Sequence, residues 1–385
     1  MKKKAKIIVK QNKLKVCMLG HKRIPSREGG IEIVVEELAT RMVERGHSVT
    51  CYNRRGHHVG GKEFDGSQIR EYKNVRIKTV PTIERKGLAA TTSSFFASIC
   101  AAFGDYDVVH YHAEGPAAMC WLPKLFGKKI VFTCHGIDWM RDKWRGTFAQ
   151  KYIKFGEKCA VKYADGFIVL SEGVQAYFRE NYGRETTFIP NGVTRPQLRL
   201  PVQIAQRWGL EKDSYILFLG RIVPEKGIHY LVDAYKSIDT DKKLVIAGGS
   251  SDTDEYMRQL QQKAKDDNRI IFTGFVQGQL LEELYSNAYI YVLPSDLEGM
   301  PLSLLEAMSY GNCCLTSDIA ECAEVVEDKA ITFKKSDMDD LKDKLDMLCR
   351  DKKAVGKYKD EAADFICGKY SWDDIVGQTL ELYVS

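Results

Sequence analysis

The sequence predicts an α/β protein of two doubly wound domains, each built on a parallel sheet. Short apolar runs of strand length alternate with amphipathic segments of helical length, this alternation occurs in two successive series, and glycine-containing loops follow several of the strands. The chain has 385 residues, about the length of two ordinary domains. With 44% hydrophobic and 28% charged residues, it can form a full core in each.

The first series is assigned to residues 1–193. The apolar run Lys15–Leu19 predicts the first strand, and Gly29-Gly30 opens a helix that extends to about Arg45. Further strands are predicted at 48–52, 75–80, 108–112, 130–133, 166–170 and 187–189, with helices at 88–103, 148–163 and 173–182. The turn Pro190-Asn191-Gly192 ends this domain.

The second series is assigned to residues 194–368, after a linker at 195–201. Strands are predicted at 215–219, 243–247, 270–272, 289–293 and 313–316, with helices at 228–237, 254–266, 278–286, 302–308, 338–350 and 353–367. The remaining segment, 369–385, contains an amphipathic helix that is a candidate to pack back on the first domain.

Charge is distributed unevenly between the two halves. The net charge is +5, but residues 1–193 carry +14 and the remainder −9, so the first half is expected to meet an anionic partner. The basic residues singled out are Lys2, Lys3, Lys4, Lys6, Lys10, Lys124, Lys128, Arg141, Lys143 and Arg145. They suit the anionic inner leaflet of a cell membrane, although a solvated basic surface is the alternative. No nucleic-acid partner is predicted.

Other features of composition favour a cytoplasmic protein. No run of 18 apolar residues could form a transmembrane helix, and the basic N-terminus lacks the apolar region of a signal peptide. Eleven cysteines occur without a CxxC pair, which is typical of reduced, buried thiols.

Two carboxylates flank a predicted helix start in the second domain. Glu298 lies in the loop after strand 289–293. Pro301 suits the first position of the next helix, where its missing N–H costs nothing, and Glu306 lies on that helix. The backbone amides between them point to the carboxyl edge of the sheet, where open α/β sheets bind ligands and helix starts favour anions. Two alternatives stay open here. Ser303 and Glu306 have the spacing of a capping box, and Glu298 also fits an ordinary loop carboxylate.

A second loop, Gly220–Gly227, follows the first strand of the same domain. Its Arg221 can bind a phosphate with two hydrogen bonds, and Lys226 adds a second positive charge. A surface salt bridge among Arg221, Glu225 and Lys226 is the alternative. Because both loops lie at the carboxyl edge of one predicted sheet, their charges together favour a nucleotide diphosphate sugar as ligand.

These paired motifs resemble the retaining glycosyltransferases of family 4, over nearly the whole chain. The resemblance implies the GT-B fold, in which two Rossmann-like domains face each other across a cleft. It also implies that Arg221 and Lys226 hold the donor pyrophosphate, that Glu298 binds the donor sugar and that Glu306 binds the ribose. The implied donor-binding set is completed by Gly29, Gly30, Asn191, Gly274, Phe275, Val276, Gly299, Met300, Pro301 and Leu302.

In the first domain, the stretch from Glu28 to Glu32 resembles the family's glycine loop, whose backbone approaches the donor phosphate. It lacks the GxGxxG spacing of dinucleotide-dependent oxidoreductases. His135 follows a buried strand, and the resemblance places it beside the reaction centre, with Arg221, Lys226 and Glu298. Without the resemblance, a structural role would be the simpler interpretation of this histidine.

The stretches 52–57, 109–116 and 135–144 are similar to bacterial cell-surface polysaccharide glycosyltransferases, a branch that includes rhamnosyltransferases. The expected donor is therefore a UDP- or dTDP-sugar, and the expected acceptor is a saccharide, in particular a lipid-linked one. The alternatives are a nucleotide-sugar-binding regulatory subunit without turnover and a nucleotide-sugar epimerase.

No metal or other cofactor is expected. The stretches Asp252-Thr253-Asp254 and Asp105-Tyr106-Asp107 match the DxD metal motif of the other glycosyltransferase fold, but here they fall at a helix start and before a strand. His110 and His112 share one face of a strand, yet no third ligand is near them in sequence.

Overall fold

The computed structural model describes residues 13–56, 69–85, 88–141, 144, 146–250 and 253–385. The first domain contains an eight-stranded sheet in the order β3-β4-β2-β1-β5-β6-β7-β8, and every neighbouring pair is parallel except β3 with β4. Its strands are β1 (Lys15–Leu19), β2 (Ser48–Arg54), β3 (Glu71–Tyr72), β4 (Val75–Val80), β5 (Val108–His112), β6 (Lys129–Cys134), β7 (Gly166–Val169) and β8 (Thr187–Phe188).

The second sheet has six strands, all parallel, in the order β11-β10-β9-β12-β13-β14. These strands are β9 (Tyr215–Leu219), β10 (Lys243–Ala247), β11 (Ile270–Gly274), β12 (Ile290–Leu293), β13 (Cys313–Ser317) and β14 (Ile331–Phe333). In both sheets the strand order reverses next to the first strand of the domain, as in doubly wound folds. The predicted fold class is confirmed.

Helices connect the strands of each sheet. The first domain contains α1 (Gly30–Glu44), α2 (Leu88–Phe103), α3 (Glu114–Ala117), α4 (Trp121–Leu125), α5 (Phe148–Tyr163) and α6 (Glu172–Tyr182). The rest of the chain contains α7 (Gln203–Trp208), α8 (Ile228–Lys236), α9 (Asp254–Ala264), α10 (Gln279–Asn287), α11 (Leu302–Ser309), α12 (Ala320–Val326), α13 (Met338–Arg350), α14 (Lys352–Lys369) and α15 (Trp372–Val384). Single 3-10 turns occur at Asp138–Met140 and Pro224–Lys226.

The long elements agree with the sequence-based prediction within a few residues, whereas β3, β14, α3, α4, α7 and α12 are not predicted. These six elements have two to seven residues, too few to show a strand or helix period. The prediction that Pro301 is the first residue of a helix differs from the structure. Pro301 lies just before α11, in an extended conformation with φ −77° and ψ 93°.

The central strands of both sheets are buried and mainly apolar, as expected for parallel strands covered on both faces, although β5 also carries His110 and His112. The last helix, α15, contacts α1 of the first domain, and the Tyr383 hydroxyl on α15 lies 2.6 Å from Nδ1 of His110 on β5. The start of α15 packs against the turn after β8. A Cβ on Gly192 in this turn would lie only 2.5 Å from the Trp372 ring. The boundary between residues 193 and 194 stays a prediction.

No helix among the described residues combines the length and the hydropathy that a membrane span needs.

Candidate active site

A cleft of about 360 Å³ lies between the two domains, at the carboxyl ends of both sheets. Loops after β1, β6, β9 and β12 contribute to its walls. The lining includes these residues singled out from the sequence: Gly29, Gly30, His135, Asn191, Arg221, Lys226, Phe275, Val276, Glu298, Gly299, Met300, Pro301, Leu302 and Glu306. Parallel strands place their following loops at one edge of the sheet, so this convergence is a consequence of the topology.

Gly274 is not part of the lining. It is the last residue of β11, and its carbonyl oxygen accepts a hydrogen bond from the backbone N–H of Gly248 at 2.9 Å. Gly274 therefore joins the ends of two strands, while Phe275 and Val276, which follow it, reach the cleft.

The two domains come close together at Gly299. A Cβ at this position would lie 1.8 Å from the carbonyl oxygen of His135, so no larger residue fits without movement of the backbone. A Cβ on Gly30 would similarly lie 3.3 Å from the Leu302 side chain across the cleft. Glycine is therefore required by the interdomain contact at Gly299, and Gly30 lets its loop come close to α11.

Lys226 and Glu298 form an ion pair that joins the two loops of the second domain. The Nζ–Oε1 distance is 2.5 Å, both side chains are largely buried, and the Ser295 hydroxyl donates to the same Glu298 oxygen at 2.6 Å. Gly227, with φ +62°, allows the first loop to pack here, since a Cβ would lie 1.9 Å from the Pro294 carbonyl oxygen. Glu298 is thus not an isolated loop carboxylate.

Arg221 has no hydrogen bond or ion pair within the described part of the chain. Burial, and then the positive charge of Arg141, lower the pKa of its guanidinium, and Glu225 and Glu298 only partly oppose this. The alternative of a local salt bridge is wrong, because Lys226 pairs with Glu298 and Glu225 faces Arg141 at 3.9 Å. A partly buried guanidinium in a cleft, without a partner among the described residues, is an unsatisfied site for an anion.

Glu306 faces the cleft and pairs with Arg27, which belongs to the first domain. The Tyr285 hydroxyl donates to its second oxygen at 3.3 Å. The negative charge of Glu306 is the main cause of a raised pKa of Arg27. Among the described residues no side chain caps the start of α11, and Ser303 lies within the helix, so the capping-box alternative for Ser303 and Glu306 is wrong.

His135 is the half-buried member of a row of three histidines, in which His110 and His112 are fully buried. Its Nε2 lies 3.0 Å from Nδ1 of His112, and the His112 ring stacks on His110 with 4.1 Å between centroids. Burial lowers the pKa of His135 to about 4, although the charge of Asp138 opposes the shift. The imidazole is therefore neutral near pH 7, where it can share a hydrogen bond but holds no positive charge.

Asn191 supports the cleft through Met300. Its side-chain Nδ2 donates to the Met300 carbonyl oxygen at 3.3 Å, and its backbone N–H lies 3.0 Å from the Met300 Sδ. These contacts fix the backbone before α11 and tie it to the turn after β8.

Sequence patterns did not indicate Arg27 as a site residue. Arg27 directly precedes the glycine loop and lines the cleft. A basic residue next to a glycine loop is the sequence signal that could have indicated it.

Glu32, noted only as part of the glycine loop, is buried and accepts a hydrogen bond from the Lys22 backbone N–H at 2.8 Å. A Cβ on Gly29 would lie 2.7 Å from a Glu32 carboxylate oxygen, so Gly29 leaves room for that carboxylate.

The stretches that could have held a metal have other partners. Asp105 and Asp107 both bind Lys15, the first through its side chain and the second through its backbone N–H at 2.7 Å. His110 Nε2 lies 2.7 Å from the Thr133 hydroxyl. Asp252 lies outside the described residues. Within those residues, no group of three His, Cys, Asp or Glu side chains is arranged to hold a metal ion.

Two parallel α/β domains that face each other across a cleft are the architecture of the GT-B glycosyltransferases. Residues 28–195 match the family model "Glycosyltransferase Family 4", and residues 203–365 match the model "Glycosyl transferases group 1". The chain therefore belongs to the glycosyltransferase family that these two models describe.

One relative in sequence is an uncharacterized glycosyltransferase of Methanocaldococcus jannaschii, which is 25% identical over 400 residues, covering 96% of this chain and 98% of the relative. Among solved structures, sucrose-phosphate synthase from Thermosynechococcus elongatus matches with a TM-score of 0.82 and 21% identity, over 97% of this chain and 98% of that one. The Anabaena protein HepE in complex with UDP-glucose matches with a TM-score of 0.79 and 17% identity, over 96% and 99% of the two chains. These structural matches show the shared fold.

Proposed function

We propose that the protein transfers a sugar from a UDP- or dTDP-sugar to a saccharide acceptor, with retention of the anomeric configuration. The observation that carries the proposal is the arrangement of charges in the cleft. Arg221, which has no side-chain partner in the described part of the chain, lies in the same cavity as the Lys226–Glu298 pair and Glu306, at the carboxyl edge of the sheet. The HepE structure of the same fold contains UDP-glucose, which supports a nucleotide sugar as the donor.

In this proposal the donor lies along the second domain. Its pyrophosphate binds Arg221, Lys226 and backbone amides near Gly30, since two cations and aimed N–H groups match its charge. Its ribose hydroxyls donate to Glu306, which releases or shares Arg27. The donor sugar lies against Glu298, and the base lies near Phe275 and Val276.

The proposed reaction is a substitution on one face of the donor sugar. The bond from the anomeric carbon to the leaving phosphate oxygen breaks, the acceptor oxygen attacks the same face, and the phosphate oxygen takes the acceptor proton. Arg221 and Lys226 stabilise the charge that develops on the leaving diphosphate, and closure of the cleft positions both substrates. Neutral His135 lies beside the contact of the two domains and is available for a hydrogen bond to the donor sugar. Because two side-chain cations serve the diphosphate, we propose that no divalent metal is needed.

The proposed setting is the cytoplasmic side of a bacterial cell membrane, in surface polysaccharide synthesis, with a lipid-linked saccharide as acceptor and rhamnose among the candidate sugars. The basic residues that the sequence suggested for membrane contact give this proposal little support. Arg141 lines the cleft and pairs with Asp138 at 3.0 Å, and Lys124 pairs with Asp165. The remainder, apart from Lys128, lie outside the described residues: Lys2, Lys3, Lys4, Lys6, Lys10, Lys143 and Arg145.

A donor screen tests the proposal. Purified protein is mixed with UDP-, dTDP- and GDP-sugars, and thermal unfolding identifies the ligand. A donor at about 100 times its dissociation constant should stabilise the fold by roughly 2.7 kcal/mol. Release of nucleoside diphosphate from that donor then separates the alternatives. A binding subunit would be stabilised without any release, and an epimerase would release a free epimer and would need no acceptor.

A further inference from the structure

The outer surface of the first domain exposes several phenylalanines. Seven phenylalanines are exposed among the described residues, and all except Phe188 belong to α2, α5 or the residue after α4. We name this set the phenylalanine face: Phe95, Phe96, Phe103, Phe126, Phe148 and Phe155. Phe103 is 71% exposed and Phe148 is 84% exposed, so large parts of these rings have no partner among the residues that the structure describes.

The helices that carry this face are neighbours. The Phe103 and Phe126 rings contact each other with 4.6 Å between centroids, which joins the end of α2 to the end of α4. Helix α2 contacts both α3 and α4, and each of these two short helices contacts α5. The exposed aromatic side chains therefore belong to one group of packed helices, and an exposed apolar surface of this kind marks an interaction site.

Helix α2 has no charged residue in its sixteen positions, although its outer side faces solvent. A helix on the surface of a soluble protein normally has charged residues on that side. Leu88 and Phe95 lie where such charges would be expected, and both are exposed. This side of α2 is therefore suited to an apolar environment.

Helix α5 combines exposed phenylalanines with lysines. Phe148, Lys151, Phe155, Lys158 and Lys162 are all exposed, and their spacing of three or four residues places them on one side of the helix. The acidic residue of α5, Glu157, is buried and accepts a hydrogen bond from Trp139 at 3.0 Å, so it does not neutralise this stripe. Helices that lie in the surface of an anionic bilayer have this combination of aromatic and basic residues.

The same helices border the cleft. Ala90 of α2, Pro116 of α3 and Ile153 of α5 line the first-domain side of the cavity, opposite Arg221. A saccharide attached to a lipid could therefore enter the cleft beside the phenylalanine face while its lipid stays in a bilayer.

We propose that the phenylalanine face, together with the lysines of α5, docks the protein on a bilayer that contains anionic lipid. The phenylalanines insert among the acyl chains, and the lysines bind the headgroups. A second copy of the chain is a poorer partner, because a symmetric contact through α5 would bring two rows of lysines together. The proposal extends the proposed function, since a lipid-linked acceptor would be found at this surface.

Co-sedimentation of the full chain with phosphatidylcholine vesicles, with and without phosphatidylglycerol, tests the proposal. The variant Phe148→Ser/Phe155→Ser should partition about 100-fold more weakly, since each buried phenylalanine contributes about tenfold. The variant Lys151→Gln/Lys158→Gln should lose roughly 30-fold, and only with anionic vesicles. The matched control, Leu198→Ser/Leu200→Ser, removes two exposed leucines from the linker between the domains and should bind as the wild type does.

Salt separates this mode of docking from attraction by charge alone. At about 0.5 M salt, binding of the wild type should weaken but persist, because screening acts on the lysines and not on inserted phenylalanines. Complete release by salt, or wild-type binding by Phe148→Ser/Phe155→Ser, would overturn the proposal. Dimerisation that this variant abolishes, without vesicle binding by the wild type, would assign the face to a second copy.

Nucleotide-sugar stabilisation, measured on every variant, keeps the two proposals apart. None of the substituted residues lines the cleft, so each variant should respond to the donor as the wild type does. Stabilisation by donor without vesicle binding would contradict the docking surface alone. Vesicle binding without stabilisation by any donor would contradict the proposed function alone.

Discussion

Arg221→Ala should abolish most turnover while leaving the fold intact. Arg221 has no hydrogen bond or ion pair within the described residues, and its surroundings lower the pKa of its guanidinium, so its removal leaves no partner unsatisfied. The free energy of unfolding should therefore change by no more than about 0.5 kcal/mol, as for substitutions outside packed or paired groups. Turnover should fall about 100- to 1,000-fold, the usual cost of losing one group aimed at charge in the transition state.

Lys226→Ala provides the contrast. This substitution removes the cation that pairs with the largely buried Glu298 carboxylate, which keeps only the hydrogen bond from the Ser295 hydroxyl at 2.6 Å. We therefore expect the free energy of unfolding to fall by about 1–3 kcal/mol, in addition to the loss of turnover. Arg221→Lys is the matched control for charge. It keeps the positive charge but loses the two-pronged contact, and an intermediate turnover is expected.

The assay combines kcat and KM for the donor found by the screen with urea denaturation of each variant. Near wild-type turnover by Arg221→Ala would refute the assignment of the leaving diphosphate to this residue. A loss of several kcal/mol in its unfolding free energy would refute the reasoning that the guanidinium is unpaired.

Glu306→Ala should weaken binding of the nucleoside diphosphate alone, whereas Glu298→Ala should nearly spare it and impair use of the sugar nucleotide; equal losses in calorimetry with both ligands would contradict this division. Stability should fall as the pH drops below about 6.5, because burial lowers the pKa of His135 to about 4 and of His110 to about 3, and the unfolded chain then binds protons that the folded chain does not. Urea denaturation at about pH 7 and pH 5 should differ by about 2 kcal/mol for each histidine, and a flat profile would contradict the burial argument. Turnover should persist in excess EDTA, since Arg221 supplies charge at the diphosphate; a strict need for added Mg²⁺ or Mn²⁺ would contradict this.

Much of the cleft follows from local sequence rules. The strands β9 and β12 are apolar runs, and the loops after parallel strands meet at one edge of a sheet, so the sequence alone is enough to place Arg221, Lys226 and Glu298 near one another. The glycine at position 299 belongs to the set implied by the family resemblance. The physical reason why position 299 needs a glycine is its contact with the His135 carbonyl oxygen, which is evident only when both domains are in place.

The side-chain contacts across the cleft could not be predicted. Arg27 and Glu306 are 279 positions apart, and no periodicity or spacing relates them. The role of Asn191 in holding Met300 depends in the same way on how the turn after β8 meets the second domain. The phenylalanine face was also missed, because exposure of an apolar residue depends on which side of a helix the rest of the fold covers.

The stereochemistry of the first product tests the proposed reaction most directly. Proton NMR can follow an α-linked sugar nucleotide as it reacts, with the acceptor or with water, and the coupling of the anomeric proton reports the configuration before mutarotation. Substitution on one face of the sugar, with the diphosphate held by Arg221 and Lys226, predicts an α-configured first product and simultaneous release of nucleoside diphosphate. A β-configured first product would contradict the proposed mechanism, and conversion of the donor without release of diphosphate would contradict sugar transfer itself.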